Sequence, residues 1–328
     1  MDSPTETTAN VRLGWIGLGS MGLAMATNLQ RHLSKLGAPG VNYHNRTMGR
    51  GQALQALGGV PCESVADLVP RADVIFLSLS DDSALAATLD AMLGPGPAGL
   101  SGKVIVDTST VHPRSSAEAQ ARLRAAGAEF VAAPVFGASP VAAEGRLLFV
   151  LAGSELAAQV ISPYLVGVMG RGVIRLGEAA KEASLLKTAG NFMTAAMMEV
   201  VAESHVFAEK TGLGSAAMES LIEQQYGPLA LSMSKRLTTG AYMPARDQRP
   251  WSDLNLALKD VGHGIACARD AGADLPVGEV VLKHLEQAKK FSNAIERPLD
   301  SSSMYGVLRR QAGLNFETDL VKERDHTG

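Results

Sequence analysis

The sequence predicts a doubly wound, parallel α/β domain followed by an all-α domain. Short apolar runs alternate with helical stretches through the first half of the chain, as is typical of β-α units. A glycine-rich turn follows the first apolar run. The pattern changes near residue 178, because no proline occurs between Glu178 and Thr211.

Seven apolar runs are predicted to be strands. The run ADVIFLSLS at 72–80 is apolar along its length, as expected for a strand that is buried on both faces. The other six runs span 12–19, 40–46, 103–110, 128–136, 147–153 and 172–177. Helices are predicted between most of them, at 21–36, 49–57, 83–92 and 114–126.

A helix from Glu178 to Thr211 is long for a globular domain and would connect the two domains, with Gly212 ending it. The predicted domains are an α/β domain at 11–178 and a helical domain at 179–315, with a disordered leader at 1–10 and a tail at 316–328. The further predicted helices span 214–226, 228–238, 252–271, 276–292 and 301–312.

Composition excludes several classes of protein. Of the 328 residues, 46% are hydrophobic and 19% are charged, and the net charge is −3. These values fit a globular protein with no bulk attraction to nucleic acid or anionic membranes. Two cysteines, Cys62 and Cys267, form no disulfide framework, which favours a reducing, cytoplasmic setting. No apolar run approaches the ~20 residues that a membrane span needs.

The glycine turn has the order G-x-G-x-x-G, with Gly17, Gly19 and Gly22. The first glycine allows the tight turn, the second lets a pyrophosphate approach the backbone, and the third lets helix and strand pack closely. The helix N-terminus then attracts phosphate. A plain tight turn is the alternative. The loop predicted to bind a dinucleotide comprises Gly17, Leu18, Gly19, Ser20, Met21 and Gly22.

The second strand bears on the choice of cofactor. An NAD site calls for an acidic residue there, whereas this strand ends with Asn45, Arg46 and Thr47, and Arg50 follows. A guanidinium suits the 2′-phosphate of NADP(H). We therefore predict NADP(H), with Asn45, Arg46 and Thr47 at the ribose; an ordinary surface arginine is the alternative.

Five motifs occur in order: GLGSMG, NRT, VDTSTVHP, APVFGAS and KTAGN. From about Leu13 to Gly313 the chain resembles the β-hydroxyacid dehydrogenase family, which includes 3-hydroxyisobutyrate dehydrogenases and is related to 6-phosphogluconate dehydrogenases and imine reductases. The resemblance implies a Rossmann domain followed by a helical domain, and a homodimer formed through the helical domain.

The resemblance also implies roles for individual residues. Ser109 would face the substrate and Thr110 the cofactor, in the segment Asp107 to Pro113. Lys259, followed by Asp260, would lie on the cofactor side. We add Leu79 and Ser80, which end the third strand, to the predicted cofactor-binding residues.

The segment APVFGAS departs from the family pattern A-P-V-S-G-G, whose serine and glycine amides hold the substrate carboxylate. Phe136 replaces the serine and Ala138 the second glycine, while Gly137 is retained. A phenyl ring donates no hydrogen bond, so we expect a substrate bulkier or more apolar than 3-hydroxyisobutyrate. In the alternative, the Phe136 ring packs away from the substrate, and Ser139 holds the substrate in place of the missing serine.

Lys187 and Asn191 match the family's K-x-x-x-N pair and lie four residues apart, on one face of the long helix. The lysine could protonate the alkoxide formed by hydride transfer, if desolvation lowers its pKa toward working pH. Asn191 could orient it or hold the substrate oxygen. A lysine whose head reaches water is the structural alternative.

We therefore predict an NADP(H)-dependent oxidoreductase acting on a hydroxy acid or carbonyl. One rival is an imine reductase or reductive aminase: the apolar turn at Phe136 favours it, whereas Lys187 opposes it, because the resemblance implies another residue at that position in imine reductases. The other rival is a non-catalytic NADP-binding scaffold. No clustered Cys/His spacing predicts a metal site. His112 and His263 are better explained by a solvated turn and by packing, and no G-x-S-x-G motif suggests a serine hydrolase.

Overall fold

A computed structural model describes residues 11–94 and 99–327. The predicted leader, 1–10, lies outside the described residues. The chain divides into two compact units, and the division falls between Lys187 and Thr188. The first unit contains the α/β sheet and the second is helical, so the predicted fold class is confirmed.

The strands of the first unit are close to those predicted. Two features differ from the prediction. The short strand Val60–Pro61 was not predicted, and the run 128–136 holds two strands, because Pro134, which has no N–H to donate, lies between them. The strands are β1 (Leu13–Ile16), β2 (Asn42–His44), β3 (Val60–Pro61), β4 (Val74–Leu77), β5 (Val104–Asp107), β6 (Glu129–Ala132), β7 (Val135–Phe136), β8 (Leu147–Gly153) and β9 (Gly170–Arg175).

The strand order is β3-β2-β1-β4-β5-β6-β8-β7, and β9 also pairs with β8. The strands from β3 to β6 are parallel, as predicted. Strand β8 runs antiparallel to both β6 and β7. The chain between β7 and β8 is too short for a crossover to a parallel neighbour, which takes a dozen or more residues.

Helices cover both faces of this sheet. Alternate residues of the central strands enter different apolar clusters: Trp15 and Phe76 lie in one, and Ile16 and Leu77 in the other. The rings of Trp15 and Phe76 stack with their centroids 5.3 Å apart. The helices of this region are α1 (Ser20–Leu36), α2 (Gln52–Ala56), α3 (Val65–Leu68), α4 (Asp82–Leu93), α5 (Pro113–Ala125), α6 (Ser139–Ala143) and α7 (Glu155–Ile161).

The long helix α8 (Lys181–Lys210) confirms the prediction for 178–211 and continues into the second unit. A π-helical turn, Ile222–Tyr226, joins the next two helices. The segment assigned to a tail contains a further helix, in which Val321 is fully buried. The remaining helices are α9 (Ser215–Leu221), α10 (Gly227–Thr238), α11 (Leu254–Asp270), α12 (Pro276–Ala294), α13 (Met304–Gln311) and α14 (Asp319–Thr327).

Candidate active site

The glycine loop joins β1 to α1, and its shape depends on two glycines. Gly17 has φ +98°, and a Cβ there would overlap the carbonyl of Ser78. A Cβ on Gly22 would lie 2.9 Å from the Ser78 Oγ. Above Gly19, in contrast, a Cβ would meet no atom within 4 Å. The loop is therefore crowded at its ends and open in the middle, on the side where a ligand could approach.

This geometry fits the pyrophosphate of a dinucleotide. Gly19 is the N-cap of α1 and, as a glycine, has no side chain that could accept a hydrogen bond from the helix's first N–H groups. Such N–H groups, together with the helix dipole, attract phosphate. The residues present thus provide both the space and the donors that the cofactor's phosphates require.

Asn45 connects this loop to the end of β2. Its side-chain oxygen accepts a hydrogen bond of 2.8 Å from the Leu18 N–H, and its Nδ2 donates to the Thr47 carbonyl at 2.7 Å. Asn45 is buried, whereas Arg46 and Arg50 are exposed. The asparagine therefore shapes the loop, while the guanidinium groups remain accessible to an anion.

Ser109 follows β5 and meets the end of β4. Its Oγ accepts a hydrogen bond of 2.8 Å from the Leu79 N–H, and its own N–H donates to Asp107 at 3.0 Å. A hydroxyl that accepts through its oxygen can still donate its proton. The sequence did not reveal that Asp107 helps to position Ser109, although the D-x-S spacing was a signal for it.

Two more of the predicted cofactor-binding residues lie close to these loops. The Ser80 hydroxyl donates to Asp81 at 2.7 Å, and Asp81 caps the N-terminus of α4. Thr110 follows Ser109 and is half-buried.

The turn after β7 lies beside the glycine-loop helix. The Ser139 Oγ is 3.9 Å from the Met21 sulfur, and the Asn28 side chain of α1 donates to the Ala142 carbonyl at 2.8 Å. Ala138 is the N-cap of α6. Gly137 has φ +132°, which favours glycine.

Lys187 is 8% exposed and lies on the part of α8 that belongs to the first unit. Its Nζ donates to the Val135 carbonyl at 2.7 Å and lies 4.3 Å from the centroid of the Phe136 ring. The start of α8 is attached to α5, because the hydroxyls of Ser184 and Ser116 are 2.7 Å apart. Sequence reasoning missed the Val135 carbonyl, since a backbone acceptor leaves no trace in residue type.

A polar cluster lies within the second unit. Asn191 donates to Asp260 at 2.7 Å, and the other carboxylate oxygen of Asp260 lies 3.2 Å from the Lys259 Nζ. These side chains belong to α8 and α11. Two predicted site residues, Asn191 and Lys259, are thus brought together by one carboxylate.

Two histidines, His112 and His263, lie near predicted site residues in the sequence. His112 accepts a hydrogen bond from the Arg114 N–H at 3.2 Å and is the N-cap of α5. His263 lies on α11, one turn after Lys259. Across 11–94 and 99–327, no group of three His, Cys, Asp or Glu residues could hold a metal ion.

Family models match most of the chain. Residues 12–177 match the NAD-binding domain of 6-phosphogluconate dehydrogenase, and residues 182–308 match the NAD-binding domain of NADP-dependent 3-hydroxyisobutyrate dehydrogenase. The NADH-dependent oxidoreductase ucdB of Aspergillus ustus is 34% identical over 304 residues, which cover 91% of this chain and 99% of that protein.

Solved structures share the fold. The 3-hydroxyisobutyrate dehydrogenase of Salmonella typhimurium superposes with a TM-score of 0.76 at 21% identity, covering 91% of this chain and 100% of that one. A reductive aminase from Aspergillus terreus, in complex with NADPH4, cyclohexanone and allyl amine, gives a TM-score of 0.57 at 20% identity, covering 91% and 99%. At these identities the likeness concerns the fold alone.

Proposed function

Since the chain belongs to the β-hydroxyacid dehydrogenase family of NAD(P)-binding oxidoreductases, we propose that it transfers hydride between NADP(H) and a hydroxy acid or carbonyl, with Lys187 as general acid/base. The observation that carries this proposal is the burial of Lys187 beside the short strand β7, where its Nζ meets a carbonyl and an aromatic ring. A lysine held away from bulk water beside a site can serve as a general acid or base.

Each residue has a distinct part. When bound, the nicotinamide supplies or accepts the hydride. Lys187 donates a proton to the substrate oxygen in reduction and accepts one in oxidation. Ser109 donates its hydroxyl proton to a substrate oxygen, because Leu79 already occupies an acceptor position of that hydroxyl. Asn191, one turn after Lys187 on α8, holds the substrate oxygen or orients the lysine.

The cofactor's phosphates are assigned to the loop from Gly17 to Gly22, and its ribose to the segment Asn45–Thr47. The exposed guanidinium of Arg46, in a segment without an acidic residue, supports NADP(H). The relative from Aspergillus ustus carries the name NADH-dependent, so the comparison of NADPH with NADH is an essential part of the test. Thr110, Leu79, Ser80 and Lys259 complete the proposed cofactor-binding set.

Phe136, Gly137 and Ala138 are assigned to the substrate. The apolar ring in place of a hydroxyl supports a substrate bulkier or more apolar than 3-hydroxyisobutyrate. A Phe136→Ser variant is expected to shift preference toward small hydroxy acids. An unchanged preference would refute this assignment.

A homodimer formed through the helical unit is also proposed. Met193, Val200 and Phe207 follow one another at seven-residue intervals on α8, and each is about 60% exposed. Residues two turns apart form a continuous stripe, which calls for an apolar partner. Sedimentation of a Phe207→Glu variant should show a monomer if this stripe is the interface, and an unaltered dimer if it is not.

None of the helices among the described residues is long and apolar enough to cross a membrane. Within the described residues, neither Cys62 nor Cys267 forms a disulfide bond, which supports the proposal of a reducing, cytoplasmic setting.

The function is tested by oxidation of NADPH and NADH against semialdehydes, keto acids, larger ketones and cyclic imines. Lys187→Ala is run in parallel, with Lys181→Ala, an exposed lysine at the start of the same helix, as matched control. We expect a carbonyl substrate to be reduced and only Lys187→Ala to lose the activity while still binding cofactor. Full activity in Lys187→Ala, or turnover of imines alone, would favour the imine reductase reading instead.

A further inference from the structure

The ammonium group of Lys187 meets two groups from β7. The Val135 carbonyl accepts a hydrogen bond of 2.7 Å, and the Phe136 ring centroid is 4.3 Å away. These two groups are neutral, and Lys187 is only 8% exposed. A cation that has lost most of its water gains more from the face of an aromatic ring than an exposed one does.

The sheet fixes the position of this ring. Val135 and Phe136 pair with Phe149 and Leu148 of β8, so the ring extends from a paired strand. Pro134 precedes the strand, and Gly137, with φ +132°, ends it. Phe136 also packs against one of the apolar clusters of the sheet. The paired strand and the apolar core thus hold the ring in place.

The ionisable residues on the elements around Lys187 include Asp107, at the end of β5, and Lys181 and Glu182, at the start of α8. β7 contains no ionisable residue, and neither does β8 beside it. At the end of β5, Asp107 accepts the Ser109 N–H. On α8, Glu182 accepts the Gly177 N–H at 2.9 Å, and Lys181 is exposed.

We propose that Phe136 is a positioning residue for Lys187: its ring, together with the Val135 carbonyl, holds the ammonium group in one place and favours its protonated form. This inference rests on the proposed role of Lys187 as general acid/base. It gives Phe136 an effect on catalysis that is distinct from contact with substrate, because the effect acts through the protonation of the lysine.

The first test compares Phe136→Leu, which removes the ring face, with Phe136→Tyr, which keeps it. We expect Phe136→Leu to lower kcat and to move the alkaline limb of the kcat profile for carbonyl reduction downward by about 0.5 to 1 pH unit. Phe136→Tyr should keep the wild-type limb. Phe149→Leu, in the strand beside Val135, is the matched control and should lower the melting temperature without moving the limb.

A second test needs neither cofactor nor turnover. Lys187 is acylated by acetic anhydride over a range of pH, and the modified peptide is quantified by mass spectrometry. The midpoint of labelling should move downward in Phe136→Leu by a similar amount, and should stay in place in Phe136→Tyr and Phe149→Leu.

The two proposals fail in different ways. If Lys187→Ala is inactive and Phe136→Leu keeps the wild-type labelling midpoint and pH limb, the positioning role is overturned while the proposed function stands. If Lys187→Ala is fully active, the acid/base role is wrong and catalytic positioning by Phe136 fails with it.

Discussion

One carboxylate group, that of Asp260, holds two predicted site residues: Asn191 donates to it at 2.7 Å, and the Lys259 ammonium lies 3.2 Å from its other oxygen. The side chains of Asp260 and Lys259 are less than one-fifth exposed. This arrangement turns the Asn191 Nδ2 toward α11 and thereby sets the direction of its side-chain oxygen.

We expect Asp260→Ala to lower kcat/KM about tenfold or more, because Asn191 loses its orientation and Lys259 its counterion. Asp260→Asn should recover part of the loss, since an amide can still bond to Asn191. Steady-state kinetics measures both. Asp270→Ala, at the exposed end of the same helix, is the control. Wild-type kinetics in Asp260→Ala would mean that the contact has no part in turnover.

Arg46→Ala should reduce kcat/KM for NADPH by about 10- to 100-fold, because a charge-assisted contact to the 2′-phosphate is lost. The value for NADH should change little, since that cofactor carries no 2′-phosphate. Initial rates with each cofactor decide the matter, and Arg31→Ala, an exposed arginine of α1, serves as reference. Equal losses with the two cofactors would count against phosphate recognition by Arg46.

Gly137→Ala should lower the free energy of unfolding by about 1–3 kcal/mol, because φ is +132° and a Cβ would lie 2.7 Å from a Leu147 methyl. Activity should fall as well, since Phe136 would be displaced. Denaturant unfolding measures the first effect. Gly172→Ala, where a Cβ meets its nearest neighbour at 3.6 Å, should lower the free energy of unfolding much less. Equal losses in the two variants would show that Gly137 does not relieve strain.

We expect His205 to make the helical unit sensitive to acid. Its Nε2 lies 2.7 Å from the Ser234 Oγ, which in turn donates to Glu219 at 3.2 Å. The serine proton is therefore used, and Nε2 must be the donor to Ser234. In the described chain, the His205 Nδ1 has no hydrogen-bond partner, so a second proton would place a charge in the core. Burial accordingly lowers the pKa of His205 from its usual 6.5.

A lowered histidine pKa means that the unfolded chain binds a proton below pH 6.5 that the folded chain does not. The stability due to neutral His205 is therefore present above about pH 6.5 and is lost as the pH falls toward the folded-state pKa. Thermal unfolding between pH 7.5 and 5 should show this loss, and His205→Gln should reduce it. An unchanged slope in His205→Gln would assign the acid sensitivity to other groups.

Local sequence patterns predicted most of the strands and helices. The strand at 72–80 was predicted from its apolar run, and β4 lies within it because a strand covered by helices on both faces needs apolar residues on both. The long helix was predicted from helix formers without proline. The short helices α3, α6 and α7 were missed, since segments of four to seven residues have too few turns to show a period.

Asn45 illustrates what composition could not reveal. Its place after β2 suggested contact with the cofactor, and that role is still a prediction. In the structure both ends of its amide bond to backbone, at Leu18 and Thr47. An asparagine in a loop is compatible with either use, and only the position of the neighbouring loop distinguishes them.

The sequence by itself determined the order of the longer strands and helices, the glycine turn and the placement of Lys187 and Asn191 on one helix face, because these depend on backbone geometry between near neighbours. Tertiary structure alone decided that Phe136 lies on the Lys187 ammonium, that Ser109 meets Leu79, and that Asn191 pairs with an aspartate 69 residues away. Such contacts depend on how distant segments pack, and packing is set by the whole unit rather than by any local period.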